Sequence, residues 1–117
     1  MVKNVLVVDD SDISRLMLRA IIENYHPDWQ IMEAGNAREA ERICESNHLD
    51  IITLDLNMPG VDGLTVAPKL KAACPKAKIA LLTANFQDRI RAKAESQGLV
   101  FIPKPISEEK ILQFVGR

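Results

Sequence analysis

The 117 residues are enough for one compact domain with a sizeable core and too few for two. Hydrophobic residues make up 47% and charged residues 26%, a globular balance too apolar for disorder. Fifteen basic against sixteen acidic side chains leave a net charge of −1, so no electrostatic excess points to nucleic acid or to an anionic membrane surface as a partner.

The chain opens on Met1, Val2, Lys3 and Asn4 without a signal-peptide layout and passes directly into VLVV at 5–8. That run is too short for a helix and rich in branched residues, which predicts a strand. Ser11 or Asp12 then stands ready to cap a helix in which Ile13, Leu16, Met17, Ala20 and Ile21 share one face of the 3.6-residue period. The more polar WQIMEA at 29–34 suits a strand at a sheet edge. Asn36 followed by Glu39 is a capping-box variant ahead of Ala40, Ile43 and Cys44 in a second helix.

A third strand is IITL at 51–54, and Asp62 opens a third helix carrying Leu64, Val66 and Leu70. Pro68 falls inside that helix, where a lost donor and a crowded turn cost about 3 kcal/mol, so a kink or a late start is expected. IALL at 79–82 is a fourth strand, 87–98 a polar helix stopped by Gly98, and LVFI at 99–102 a fifth strand. Ser107 caps the last helix, whose dipole Glu108 and Glu109 complement, and Asp12, Asp62 and Asp88 are placed as caps. Five strand–helix alternations with right-handed crossovers predict an α/β fold, a doubly wound parallel sheet with helices on both faces, as a single domain over 1–117. No apolar run is long enough to cross a bilayer, which places the chain in the cytoplasm with no membrane partner. Cys44 and Cys74 form no CxxC and read as reduced thiols near a core, and isolated His26 and His48 leave no zinc ligand set.

The polar residues that remain fall at corresponding places. Asp9 and Asp10 follow the first strand, Asp55 the third, Thr83 the fourth, and Lys104 lies just beyond the fifth. In a sheet of order 2-1-3-4-5 the carboxyl ends of the strands share one edge, and the crevice opens between strands one and three. Asp9, Asp10 and Asp55 would meet there. Carboxylates about 4 Å apart repel by about 4 kcal/mol at an effective dielectric near 20, so such a cluster needs a proton or a cation. An all-oxygen set with few protein ligands suits Mg²⁺. With a divalent ion, a lysine and a threonine hydroxyl around it, Asp55 has the surroundings of a nucleophile for a phosphoryl group.

DD after strand one, DLNMPGVDG after strand three, TA after strand four and KP after strand five together resemble a response-regulator receiver domain of the chemotaxis-regulator type, over essentially the whole chain. The resemblance implies a flavodoxin-like five-stranded sheet with five helices. It also implies a phosphoaspartate formed at Asp55 from the phosphohistidine of a histidine kinase or phosphotransfer protein. By the same resemblance Asp10 is a direct Mg²⁺ ligand, Asp9 acts through water, and the backbone carbonyl of Asn57 joins Asp55 in the metal shell. Thr83 and Lys104 match the groups that grip the phosphoryl oxygens. Phe101 matches the aromatic that turns inward when Thr83 moves, changing the surface of helix four, strand five and helix five for a downstream protein target. Asn57 and Asn85 stand where side chains tune dephosphorylation, Ala84 is small enough to leave the phosphoryl path open, and Pro105 makes the bond after Lys104 a candidate for cis.

New bonds from Thr83 and Lys104 at about 1.5 to 3 kcal/mol each would together approach the roughly 5.5 kcal/mol that moves a two-state equilibrium from mostly off to mostly on. The receiver so implied is no general enzyme and catalyses only its own phosphorylation and dephosphorylation. Three rivals fit less well. A Mg²⁺-dependent phosphatase using Asp55 would want an acid where Asn57 stands. A flavodoxin-like cofactor binder would not place Asp9, Asp10 and Asp12 against a phosphate, and a scaffold that is never phosphorylated would not need the complete set. The chain ends soon after Val115, which fits both a lone receiver and one cut from a longer regulator.

Overall fold

The computed structural model describes residues 2–116. Five strands, β1 (Asn4–Val8), β2 (Gln30–Ala34), β3 (Ile51–Asp55), β4 (Lys78–Thr83) and β5 (Val100–Pro103), pair in parallel in the order β2-β1-β3-β4-β5. They alternate with α1 (Asp12–Tyr25), α2 (Ala37–Ser46), α3 (Gly63–Ala73), α4 (Asp88–Ser96) and α5 (Glu108–Val115). This is the flavodoxin-like doubly wound sheet that the alternation of apolar runs and helical periods predicts, with the polar β2 at an edge.

Successive side chains of a strand point to opposite faces, so each apolar run feeds two cores. Leu6, Val8, Ile52, Leu54, Ile79 and Leu81 lie beneath α2, α3 and α4 with Ala40, Val66, Leu70 and Ala94. Val5, Val7, Ile51, Ala80, Leu82 and Ile102 face α1 and α5, where Leu18, Ile22, Ile111 and Leu112 cover them. Each such fully buried aliphatic side chain contributes roughly 1.5 to 3 kcal/mol. Cys44 and Cys74 are buried free thiols, and burial pushes the Cys44 thiol up to about 12. No helix among the described residues is long and apolar enough to cross a membrane.

Local signals set most helix ends. Ser11, rather than Asp12, caps α1 by accepting from the Ser14 amide, while Asp12 sits in the first turn and pairs with Arg15. Asn36 caps α2 through the Glu39 amide, and the Glu39 carboxylate reaches back to the Gly35 amide, one residue earlier than in a standard capping box. Asp62 caps α3 through the Thr65 amide and Ser107 caps α5 through the Lys110 amide. Asp88 is not a cap. Gln87 holds that position without a side-chain bond, leaving Asp88 in the first turn, where its charge complements the helix dipole. Nor does Pro68 delay α3, which starts at Gly63 immediately after its cap. Pro68 lies on the exposed face, where water can take the carbonyl that its missing N–H leaves free.

The face of α1 differs from the sequence expectation. Leu18 and Ile22 are buried and Ile21 half-buried, whereas Ile13, Leu16 and Met17 are 70%, 64% and 46% exposed. Arg15 and Arg19 both reach Glu33, at 3.0 and 2.8 Å, and Arg19 also donates to the Ile31 carbonyl at 2.8 Å. Burial of Leu18 and Ile22, worth roughly 1.5 to 3 kcal/mol each, sets which face of α1 meets the sheet, and the partly exposed arginine pairs beside it add less.

Candidate functional site

Strand register assembles the site. Val8 pairs with Leu54, Asp55 with Leu82, and Thr83 with Pro103, so the residues that end or follow these strands arrive at one edge of the sheet. Backbone bonds extend the ladders past the strands, from Asp9 N to Ala34 O at 3.0 Å, Leu56 N to Leu82 O at 3.0 Å and Lys104 N to Thr83 O at 2.9 Å. The polar residues at the crevice are therefore fixed by the sheet itself.

Asp9 is 1% exposed, and one of its oxygens accepts from the Ser11 amide at 2.9 Å. Asp55 is 5% exposed and Asp10 lies at the surface. One carboxylate oxygen from each of the three falls within 4.8 Å of the others. At that separation and an effective dielectric near 20 each pair of ionised groups repels by about 3.5 kcal/mol. Lys104 answers part of this, its Nζ lying 2.9 Å from Asp55 and 3.4 Å from Asp9. Burial, with Asp9 and Asp10 nearby, still holds the Asp55 carboxyl above its ordinary value against the Lys104 hydrogen bond. Burial alone would lower Lys104, but the hydrogen bond and charges of Asp55 and Asp9 outweigh it and raise the ammonium. Three carboxylates and one fixed cation form an oxygen-only cradle with negative charge to spare, which fits a hard divalent cation.

Thr83 is fully buried, and its hydroxyl accepts from the Asn85 amide at 2.9 Å. Ala84 is exposed beside it and Asn57 is exposed on the loop after Asp55. Asn85 is half-buried, its side-chain oxygen accepting from the Gln87 amide at 3.0 Å. The Lys104–Pro105 peptide bond is cis. Phe101 lies outside the carboxylate cluster, half-buried on β5, with the Arg91 guanidinium 5.1 Å from its ring centre.

Two supporting residues were not anticipated from the sequence. Arg15 donates to the backbone carbonyl of Asp9 and pairs with Asp12 and Glu33, tying the first acidic loop to α1 and β2. Gly63 opens α3 directly against the Asp55 backbone, where a Cβ would lie 2.5 Å from the Asp55 carbonyl oxygen. Asp62-Gly63 reads in sequence as a turn, yet the need at Gly63 is for close approach.

A doubly wound sheet with carboxylates and a lysine at its topological switch point defines a crevice suited to a cation and an anionic group held together. The chain matches the response regulator receiver domain family over residues 5–116, and it belongs to that family of two-component signalling domains. It is 34% identical over 112 residues to the cyclic di-GMP phosphodiesterase response regulator RpfG of Xanthomonas campestris pv. campestris, covering 92% of this chain and only 29% of that protein. It is 33% identical to the chemotaxis protein CheY of Listeria monocytogenes, covering 92% and 91% of the two chains. Among solved structures it resembles the CheX–CheY–BeF₃–Mg²⁺ complex from Borrelia burgdorferi, with a TM-score of 0.83, 31% identity and coverage of 97% of this chain and 86% of that one.

Proposed function

We propose that these 117 residues act as one cytoplasmic receiver unit that takes a phosphoryl group onto Asp55 from a histidine kinase or phosphotransfer protein. The observation that carries this is the setting of Asp55, buried at the switch point with Lys104 2.9 Å away and two further carboxylates beside it. Asp9, Asp10, Asp55 and the backbone carbonyl of Asn57 would hold Mg²⁺, which supplies charge neutralisation for the incoming phosphoryl oxygens. The Asp55 oxygen would attack phosphorus as the P–N bond of the phosphohistidine breaks and its electron pair leaves on the imidazole nitrogen, while Lys104 and the Thr83 hydroxyl bind the equatorial oxygens. Thr83, whose hydroxyl accepts from the Asn85 amide, would turn toward the phosphoryl group to donate its own proton. Its movement would leave room for Phe101, and the face of α4, β5 and α5 would change for a downstream protein. Asn57 and Asn85 flank the path by which water reaches the acyl phosphate, and set its lifetime. The chain would catalyse only these two steps on itself.

The exposed stripe of Ile13, Leu16 and Met17 starts three residues after Asp10 and would face a macromolecule that brings a phosphohistidine to Asp55. It suits the apolar side of a donor helix.

Incubation with acetyl phosphate and Mg²⁺, followed by intact mass, tests the reading. Gain of one phosphoryl unit by the wild type and none by Asp55→Asn is expected. Turnover of unrelated phosphomonoesters would favour a phosphatase, and no metal-dependent change at all would favour a scaffold.

A further inference from the structure

Between α3 and α4 the surface folds into a groove of about 610 Å³. Asn57, Asn85, Arg89 and Lys93 line it, with Leu64 and Ile90 among its apolar lining. Asp62 also lines it, but one oxygen of that carboxylate is engaged in capping α3 through the Thr65 amide. Arg89 and Lys93 stand one turn apart on α4, and among the described residues neither has an acidic partner. Arg91 on the same helix contrasts with them, lying 4.0 Å from Glu95 and over Phe101. Two unpaired cations thus line a polar groove that also takes in Asn57, two residues after Asp55, and Asn85, whose amide donates to the Thr83 hydroxyl.

Phosphoryl transfer requires the leaving atom to depart opposite the Asp55 oxygen, on the open side of the crevice where Asn57 and Asn85 stand. With a small acyl phosphate as donor, the bond from phosphorus to Asp55 forms as the bond to the acyl oxygen breaks. The electron pair leaves on that oxygen, and a carboxylate carrying a full negative charge is released without need of a proton. We propose that the α3–α4 groove receives this carboxylate half of a small acyl-phosphate donor, and that Arg89 and Lys93 determine the preference for such donors. This rests on the reading of Asp55 as phosphoacceptor. Phosphoramidate is the contrasting donor, because its P–N bond breaks to release neutral ammonia and no leaving-group anion develops.

The rate of Asp55 phosphorylation by acetyl phosphate and by phosphoramidate, each with Mg²⁺, is read from intact mass for the wild type, Arg89→Glu, Lys93→Glu and the double variant. Lys76→Glu, an exposed charge reversal in the loop before β4, controls for overall charge. Reversal of the two charges that line the groove is expected to slow the acetyl phosphate reaction about tenfold or more, with phosphoramidate changed by less than about twofold. Arg89→Gln should shift the ratio less in the same direction, and Lys76→Glu should leave it unchanged. Equal slowing with both donors, or an unchanged ratio, overturns the inference while leaving Asp55 as acceptor. Failure of the wild type to take phosphate from either donor removes the Asp55 reading and this one with it.

Discussion

A methyl group added at Gly63 would meet the Asp55 carbonyl oxygen at 2.5 Å and Leu81 Cδ1 at 3.0 Å. Helix propensity favours alanine over glycine by about 1 kcal/mol, so on local grounds Gly63→Ala should stabilise the chain. The clash is with backbone, which cannot swing aside, and overpacking of this kind costs about 1 to 3 kcal/mol. Gly63→Ala is therefore expected to lower the urea midpoint and to slow phosphorylation by shifting Asp55; a raised midpoint would show that α3 has room to move. Asp9, Asp10, Asp55, Thr83 and Lys104 were legible in the sequence because each is a polar residue at the end of an apolar run. Gly63 and Arg15 were not, since the first acts by absent volume and the second through Glu33, eighteen residues away.

At the scale of elements, five strands were readable because buried parallel strands are short, branched and apolar, and the weaker β2 was readable as an edge by its polarity. The orientation of α1 was not. Its hydrophobic period predicts an inward Ile13–Leu16–Met17 face, but Leu18 and Ile22 take the core, and Arg15 and Arg19 pair with Glu33 of β2 beside them. Partial burial alone would raise the Glu33 carboxyl, yet the hydrogen bonds and charges of Arg19 and Arg15 hold it below its ordinary value. A carboxyl depressed by folding adds stability that is present above its unfolded value and is lost as pH falls through its folded value. Glu33→Gln should thus lower the Tm at neutral pH, with the difference from wild type shrinking below about pH 4; a constant difference down to about pH 3 would mean that the network contributes by packing alone. Leu16 is exposed, so Leu16→Ser should leave stability and acetyl phosphate labelling unchanged. It should slow transfer from a phosphorylated histidine protein about tenfold, and an unaltered rate would remove α1 from the donor's docking face.

Across the whole molecule, four strand ends from separate parts of the chain converge on one crevice, which is how five polar residues spaced over some ninety positions form a single site. The α3–α4 groove is a feature no linear pattern announces, because its cations and its amides lie on different elements. Energetically the site rests on charge held in place by the sheet. Three carboxylates within 4.8 Å and one lysine leave excess negative charge that a divalent ion would offset, and this is the setting on which the proposal of Asp55 as phosphoacceptor rests. The most direct measurement is reduction of the phosphorylated protein with borohydride, which converts an acyl phosphate on aspartate to homoserine, followed by peptide mass mapping. Homoserine at position 55, formed with Mg²⁺ and abolished by EDTA, is the predicted result. Homoserine at Asp9 or Asp10 instead, or none in protein that has gained a phosphoryl unit, would contradict the account.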